Sequence, residues 1–404
     1  MAENTQIIAA LSLAEILDLP ADDKERHGLQ HTPAEIDQQP LTWLETFEIV
    51  GRHRAEIARF LQDAGIDGVN GRDVTVSLIG AGTSDYIGRT LAPLLRQQWR
   101  CHVRVTPSTD LLTELDDDVS AVPSGIRQLW ISFSRSGDSY EGVAIIEKAL
   151  EKYPNIRHLI VTCNADGKMA ELSTEGENVR CVVLNKRVND QGLAMTSSFT
   201  NMIVAGHCLA HIFDLERYRP IIEALARSAA DQLPAIAAAA KNIAAMDITR
   251  ICFLGTGAIK AAGDESALKV LEMSAGYYSV MSESFLGLRH GPLSWLGDNS
   301  LVVGSLSNTA ERRKVENGLL REIERKNAAQ HIVMISPVAA ESAGCGEIIC
   351  LDLPAGLSDN YLPPIYVIFA QCLGLFASLE HGLKPDAPSS DGKIQRVVDN
   401  ISFA

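Results

Sequence analysis

The chain has 404 residues, 46% of them hydrophobic, and a formal net charge of −15. That length exceeds what a single hydrophobic core usually supports, so two domains with short extensions are expected. The acidic balance argues against nucleic acid or an anionic membrane as the main partner, because both demand a concentrated basic face; any anion must be caught locally.

Residues 1–17 are apolar but carry Glu3 and Glu15 and no basic segment, which predicts a cytoplasmic protein rather than a secreted one. No charge-free run is expected to be long enough to span a bilayer. A short helix over 11–17 leads into a polar stretch at 22–39. Residues 41–64 then carry helical periodicity through Trp43, Phe47, Ile57, Phe60 and Leu61, ending at Gly65. These segments suggest a helical extension over 1–44 and a first domain over 45–220. In that domain, strands at 74–79, 101–105, 129–133, 158–162 and 181–184 alternate with helices at 86–99, 139–152 and 197–213. An alanine-rich connector over 221–247 is predicted to be helical, with a kink or break at Pro234. A second domain over 248–385 repeats the alternation, with strands at 250–254, 278–283, 301–305, 331–335 and 347–351 and helices at 261–275, 311–325 and 361–379. A polar tail over 386–404 follows. Strands alternating with helices of this length predict the α/β class, with mostly parallel sheets covered on both faces in three layers.

The two domains echo each other. Gly82 and Gly257, Ser134 and Ser305, and His158 and His331 are separated by 175, 171 and 173 residues. So regular an offset predicts two related folds. The copies differ chemically: the first carries Ser134-Arg135-Ser136-Gly137-Asp138-Ser139, whereas the second reads Ser305-Leu306-Ser307-Asn308-Thr309. That asymmetry predicts one small-anion site per chain, in the first half.

Gly80 and Gly82 permit a tight turn after the first strand, with Thr83 and Ser84 placed to cap the next helix and offer its amides to an anion. A plain strand-to-helix turn is the alternative. A dinucleotide fingerprint is excluded, since no GxGxxG is present, and so is a Walker loop, since no Gly-Lys-Ser/Thr follows. Ser134, Ser136 and Ser139 around Gly137 form a compact set of hydroxyls suited to a phosphate monoester, at a place where open α/β sheets bind ligands. Eight scattered cysteines, most among apolar neighbours, predict free thiols, and Cys345 and Cys350 lack further ligands for zinc. No metal or cofactor is expected.

Glu265, Lys269 and Glu272 share one helical face. Either they form a surface ion-pair ladder or, with Gly263 and Ala267 permitting close approach and Leu268, Leu271 and Met273 marking the core side, they lend a carboxylate to a pocket. His290 stands directly before Gly291-Pro292, where an imidazole could move protons near neutral pH or simply shape a loop.

Taken in order, the segments GAGTSDYIG, ISFSRSGDSYE, LAMTSS, ESALKVLE and FLGLRHGP, with the tail from Ser390 to Val398, resemble the double sugar isomerase (SIS) domain proteins over residues 45–400. Within that superfamily the likeness is to AgaS-type proteins, labelled tagatose-6-phosphate ketose/aldose isomerases and regarded as galactosamine-6-phosphate deaminase/isomerases. The resemblance implies a sugar-phosphate substrate, two tandem SIS domains and a homodimer. It implies that Ser134, Arg135, Ser136 and Ser139 hold the phosphate and that Thr83 and Ser84 contact the sugar. Glu272 would move the proton between C1 and C2, with Lys269 nearby and Glu265 in support. His290 would open the ring from the partner subunit, and Arg396 would fall where a tail lysine of the glucosamine-6-phosphate synthase relatives closes over the sugar. Arg135 departs from those relatives, which have glutamine there, and with no amidotransferase domain expected to supply ammonia the resemblance implies a deaminase rather than a synthase.

Overall fold

The computed structural model describes residues 8–69, 71–173, 177–338, 346–389 and 391–396. The readings made above for residues 1–7, Cys345, Ser390 and the tail beyond Arg396 lie outside the described residues. Contacts divide the chain into two compact units. The first-sheet unit comprises Leu41–Asn189, Ser197–Ile222 and Gln395–Ala404; the second-sheet unit comprises Met1–Pro40, Asp190–Thr196 and Glu223–Ile394.

Ten strands are found among the described residues. In the first-sheet unit they are β1 (Val74–Gly80), β2 (His102–Pro107), β3 (Arg127–Ser134), β4 (Arg157–Thr162) and β5 (Val179–Val183), all parallel, in the order β2-β1-β3-β4-β5. The second-sheet unit contains β6 (Arg250–Gly255), β7 (Ser279–Ser284), β8 (Ser300–Ser305), β9 (His331–Ser336) and β10 (Glu347–Cys350), in the order β7-β6-β8-β9-β10. The topology is therefore the same twice. Every residue of β1 is buried, as a strand covered on both faces requires, whereas the edge strands β2 and β7 are mostly only half-buried. In each sheet the chain crosses from the second strand to the far side of the first, which leaves a switch point between β1 and β3 and another between β6 and β8.

Helices Thr83–Trp99 and Ser197–Ala210 pack together over the first sheet. In the second-sheet unit, helix Ala258–Met273 lies on β6 and β7 and packs against helix Pro363–Glu380. Gly374 allows that approach: a Cβ there would fall 2.7 Å from Met273 Sδ and 3.2 Å from Lys269 O. Helix Pro363–Glu380 is long and apolar enough to cross a membrane, contrary to the sequence expectation, but its side chains fill the unit's core.

Other expectations are corrected as well. The single helix expected over 41–64 is two, Gln39–Arg52 and Arg54–Ala64, separated at His53; the polar stretch before it holds helices Ala21–His27 and Thr32–Asp37. Helix Ser108–Ser120 follows β2 directly and was not expected. Helix Arg219–Ala244 runs through Pro234 without a break.

Candidate active site

The first switch point is built by two strand-to-helix turns. At the end of β1 a Cβ on Gly80 would lie 2.4 Å from the Ser84 carbonyl carbon, and Gly82 adopts φ +55°, so both glycines are required for different reasons. Helix Thr83–Trp99 begins earlier than expected, and Gly82 rather than Thr83 or Ser84 occupies the capping position. Thr83 and Ser84 are buried in its first turn, where Ser84 N–H already donates to Ala81 O at 3.0 Å.

At the end of β3, Gly137 takes φ +69° and its N–H donates to Ser134 Oγ at 3.1 Å, while Asp138 N–H donates to Ser136 Oγ at 3.2 Å. Each of these oxygens accepts from the backbone, so each hydroxyl retains its own proton for an incoming acceptor. Ser139 caps helix Tyr140–Lys152 by position but makes no side-chain capping bond, leaving the first amides of that helix without an internal acceptor from it. Two contacts that the sequence reading missed, from Asn164 and Lys168, brace the loop. Asn164 Nδ2 donates to Ser136 O at 2.8 Å, and Asp138 Oδ1 accepts from Lys168 N–H at 2.9 Å. Their signal is tertiary, since β4 must pair with β3 before residue 164 meets the loop.

Arg135 is buried, and its Nη2 donates to the backbone oxygen of Arg396 at 2.5 Å. Arg396 in turn donates from Nη2 to Asn189 Oδ1 at 2.8 Å. The structure thus joins the serine loop and the tail residue within the first-sheet unit.

In the second-sheet unit, helix Ala258–Met273 positions the acidic cluster. A surface ladder is ruled out: the side chains of Lys269 and Glu265 are 1% and 0% exposed, and Glu272 is 26% exposed. Lys269 Nζ lies 2.6 Å from Glu272 Oε2 and 3.3 Å from Glu265 Oε1. Burial works against the Lys269 ammonium, but the two carboxylates outweigh it and hold its pKa above the ordinary lysine value. The buried cation thereby fixes the position of one accessible carboxylate, Glu272, and one inaccessible carboxylate, Glu265. Gly263 does permit close approach, since a Cβ there would meet Ser282 Oγ at 2.9 Å; Leu271, by contrast, is exposed rather than core-facing.

His290 ends the short turn Gly287–His290 and is exposed, ahead of Gly291 at φ +125°. It makes no hydrogen bond or ion pair among the described residues, and its neighbour Arg289 pairs with Glu322 at 3.2 Å. No group of three or more metal-ligating side chains occurs among the described residues.

Two parallel sheets of identical strand order, with a hydroxyl-lined loop at the first switch point, place the chain among tandem SIS-domain proteins. No protein-family model matches it. It is 35% identical over 389 residues to an AgaS protein of Streptomyces coelicolor, covering 95% of this chain and 97% of that one. It is 32% identical over 375 residues to the D-galactosamine-6-phosphate deaminase AgaS of Escherichia coli, covering 92% and 94%. The crystal structure of an Escherichia coli tagatose-6-phosphate ketose/aldose isomerase superposes with a TM-score of 0.77 at 30% identity, covering 88% of this chain and 95% of that one. The chain belongs to the AgaS family.

Proposed function

We propose that the protein converts D-galactosamine 6-phosphate and water to D-tagatose 6-phosphate and ammonia, acting as a cytoplasmic homodimer. The hydroxyls of Ser134, Ser136 and Ser139 and the amides of the helix that follows take the phosphate, with Arg135 adding fixed positive charge and Thr83 and Ser84 contacting the sugar. Arg396, tied to Arg135 through its backbone, closes over this end. His290, supplied by the partner subunit, moves the ring-oxygen proton as the hexopyranose opens.

Glu272 then removes the C2 proton of the open-chain 2-amino aldose. The electron pair forms the C1–C2 double bond as O1 gains a proton, giving an enolamine. Return of the proton to C1 leaves an iminium at C2, which water attacks; the C–N bond breaks and ammonia departs. Lys269 holds Glu272 in place and Glu265 balances Lys269. The observation that carries the proton-transfer reading is the Lys269–Glu272 pair, because a carboxylate fixed by a buried ammonium and still reachable is what carbon-to-carbon proton transfer needs. The choice of substrate follows the names of the relatives.

The test is ammonia release from galactosamine 6-phosphate and, separately, glucosamine 6-phosphate, with the sugar product identified. Release from the galacto compound alone, with tagatose 6-phosphate formed, is expected. A second reading, interconversion of neutral tagatose 6-phosphate with an aldose 6-phosphate, is favoured by the name of the superposed Escherichia coli isomerase. It predicts turnover without an amino group and no ammonia.

A further inference from the structure

The second switch point retains a set of anion donors, and they are occupied from within. Ser307, which stands 171 residues after Ser136, donates from its N–H to Glu316 Oε2 at 2.7 Å and from its hydroxyl to Glu316 Oε1 at 2.6 Å. Thr256, in the glycine turn after β6, donates its hydroxyl to the same Oε1 at 2.7 Å. The turn is conformationally the same as in the first sheet: Gly257 has φ +62° and ψ −126°, against +55° and −123° at Gly82. Buried Arg313 adds a guanidinium beside the loop, donating to Ser307 O at 2.8 Å and Asn308 O at 2.9 Å.

Glu316 itself is buried, on helix Ala310–Arg325. Its counterpart 171 residues earlier is Ile145, an apolar core side chain of helix Tyr140–Lys152 that offers no acceptor to the first loop. A carboxylate with two oxygens on three convergent donors makes the contacts that two oxygens of a phosphate would make.

We infer that the loop formed by Thr256 and Ser307 is a second oxyanion site, closed by the side chain of Glu316, and that removing that side chain opens it to phosphate. Burial raises the Glu316 carboxyl above its ordinary pKa and Asp359 adds to this, against the pull of the three hydrogen bonds. A charged guest is therefore only partly compensated there, and the opened site should bind inorganic phosphate weakly, in the millimolar range.

The experiment compares Glu316→Ala with the unaltered protein by equilibrium dialysis against labelled inorganic phosphate. One additional equivalent per chain is expected in the variant, whatever the unaltered protein binds at its first loop, so failure of the proposed substrate assignment would not be mistaken for failure here. Glu316→Gln, which keeps the site filled, should show no additional equivalent. No gain in Glu316→Ala, or an equal gain in Glu316→Gln, overturns the inference. If Glu316→Ala does not fold in chloride buffer, refolding is repeated in phosphate at equal ionic strength. Recovery in phosphate alone supports an opened oxyanion site, and equal failure in both buffers rejects it.

Discussion

At the carboxyl end of the first sheet, the hydroxyls of Ser134 and Ser136 accept from the backbone and donate to no carboxylate among the described residues. At the corresponding end of the second sheet, Ser307 and Thr256 donate to Glu316, while Asn308 N–H and Arg312 donate to Asp359 at 2.6 and 2.9 Å. The two loops share strand order, offset and glycine conformation and differ in where their acceptors come from. Donors in a buried turn must be satisfied, so the first loop needs an acceptor from solution and the second does not. The comparison supports the proposal of one phosphate per chain, held by the first loop. It also leaves the second-sheet unit free to contribute chemistry through helix Ala258–Met273 rather than binding through its loop.

The sharpest test of that division is Glu272→Gln. It keeps the shape and a hydrogen bond to Lys269 but removes the base, so kcat should fall by about 10³-fold while KM changes little. Steady-state ammonia release measures it. A variant that kept its turnover would remove Glu272 as the base.

Next in size is the pair of equivalent serines. Ser136→Ala removes a donor to the bound phosphate and should raise KM roughly ten-fold, about 1.4 kcal/mol, with kcat nearly unchanged. Ser307→Ala removes one of three donors to a buried carboxylate and should leave KM alone while lowering stability by about 1–3 kcal/mol. Kinetics and urea unfolding on the two variants read the contrast directly. Matching phenotypes would mean that the loops are not divided as described.

Much of this frame was legible in the sequence. All ten strands were expected near where they stand, because buried parallel strands are short apolar runs bounded by glycine or serine turns. The serine loop and the Glu265, Lys269, Glu272 face could also be read, since hydroxyls around a glycine and charges at helical spacing are local patterns. Glu316 could not. It sits in the run Glu-Arg-Arg-Lys-Val-Glu-Asn, which reads as a solvated helix face, and only the return of β8 beside β6 brings Ser307 and Thr256 to it. Helix Ser108–Ser120 was missed for a related reason: Leu111 and Leu115 are its buried apolar residues, and an acidic run from Asp116 to Asp118 hides its periodicity.

A further contrast separates the units by pH. In the first-sheet unit His158 is buried against the Trp130 ring, and burial lowers its pKa from 6.5 to about 4. The unfolded chain binds that proton between pH 4 and 6.5 and the folded chain does not, so this unit loses stability as pH falls from 6.5 toward 4. In the second-sheet unit Glu35 is raised from 4.5 to about 8, first by burial and then by Asp190 and Asp386, although the N–H groups of Gln191 and Gly192 donate to it. Here the folded chain holds the proton and the unfolded chain does not, so stability is greatest below pH 4.5 and falls as pH rises toward 8. Between pH 4.5 and 6.5 the two units should therefore drift in opposite directions. Peptide-resolved hydrogen exchange, corrected for its intrinsic pH dependence, reads each separately. Glu35→Gln should flatten the slope in the second-sheet unit alone and His158→Gln the slope in the first-sheet unit alone. Slopes of the same sign in both units would show that buried side chains do not set the balance between them.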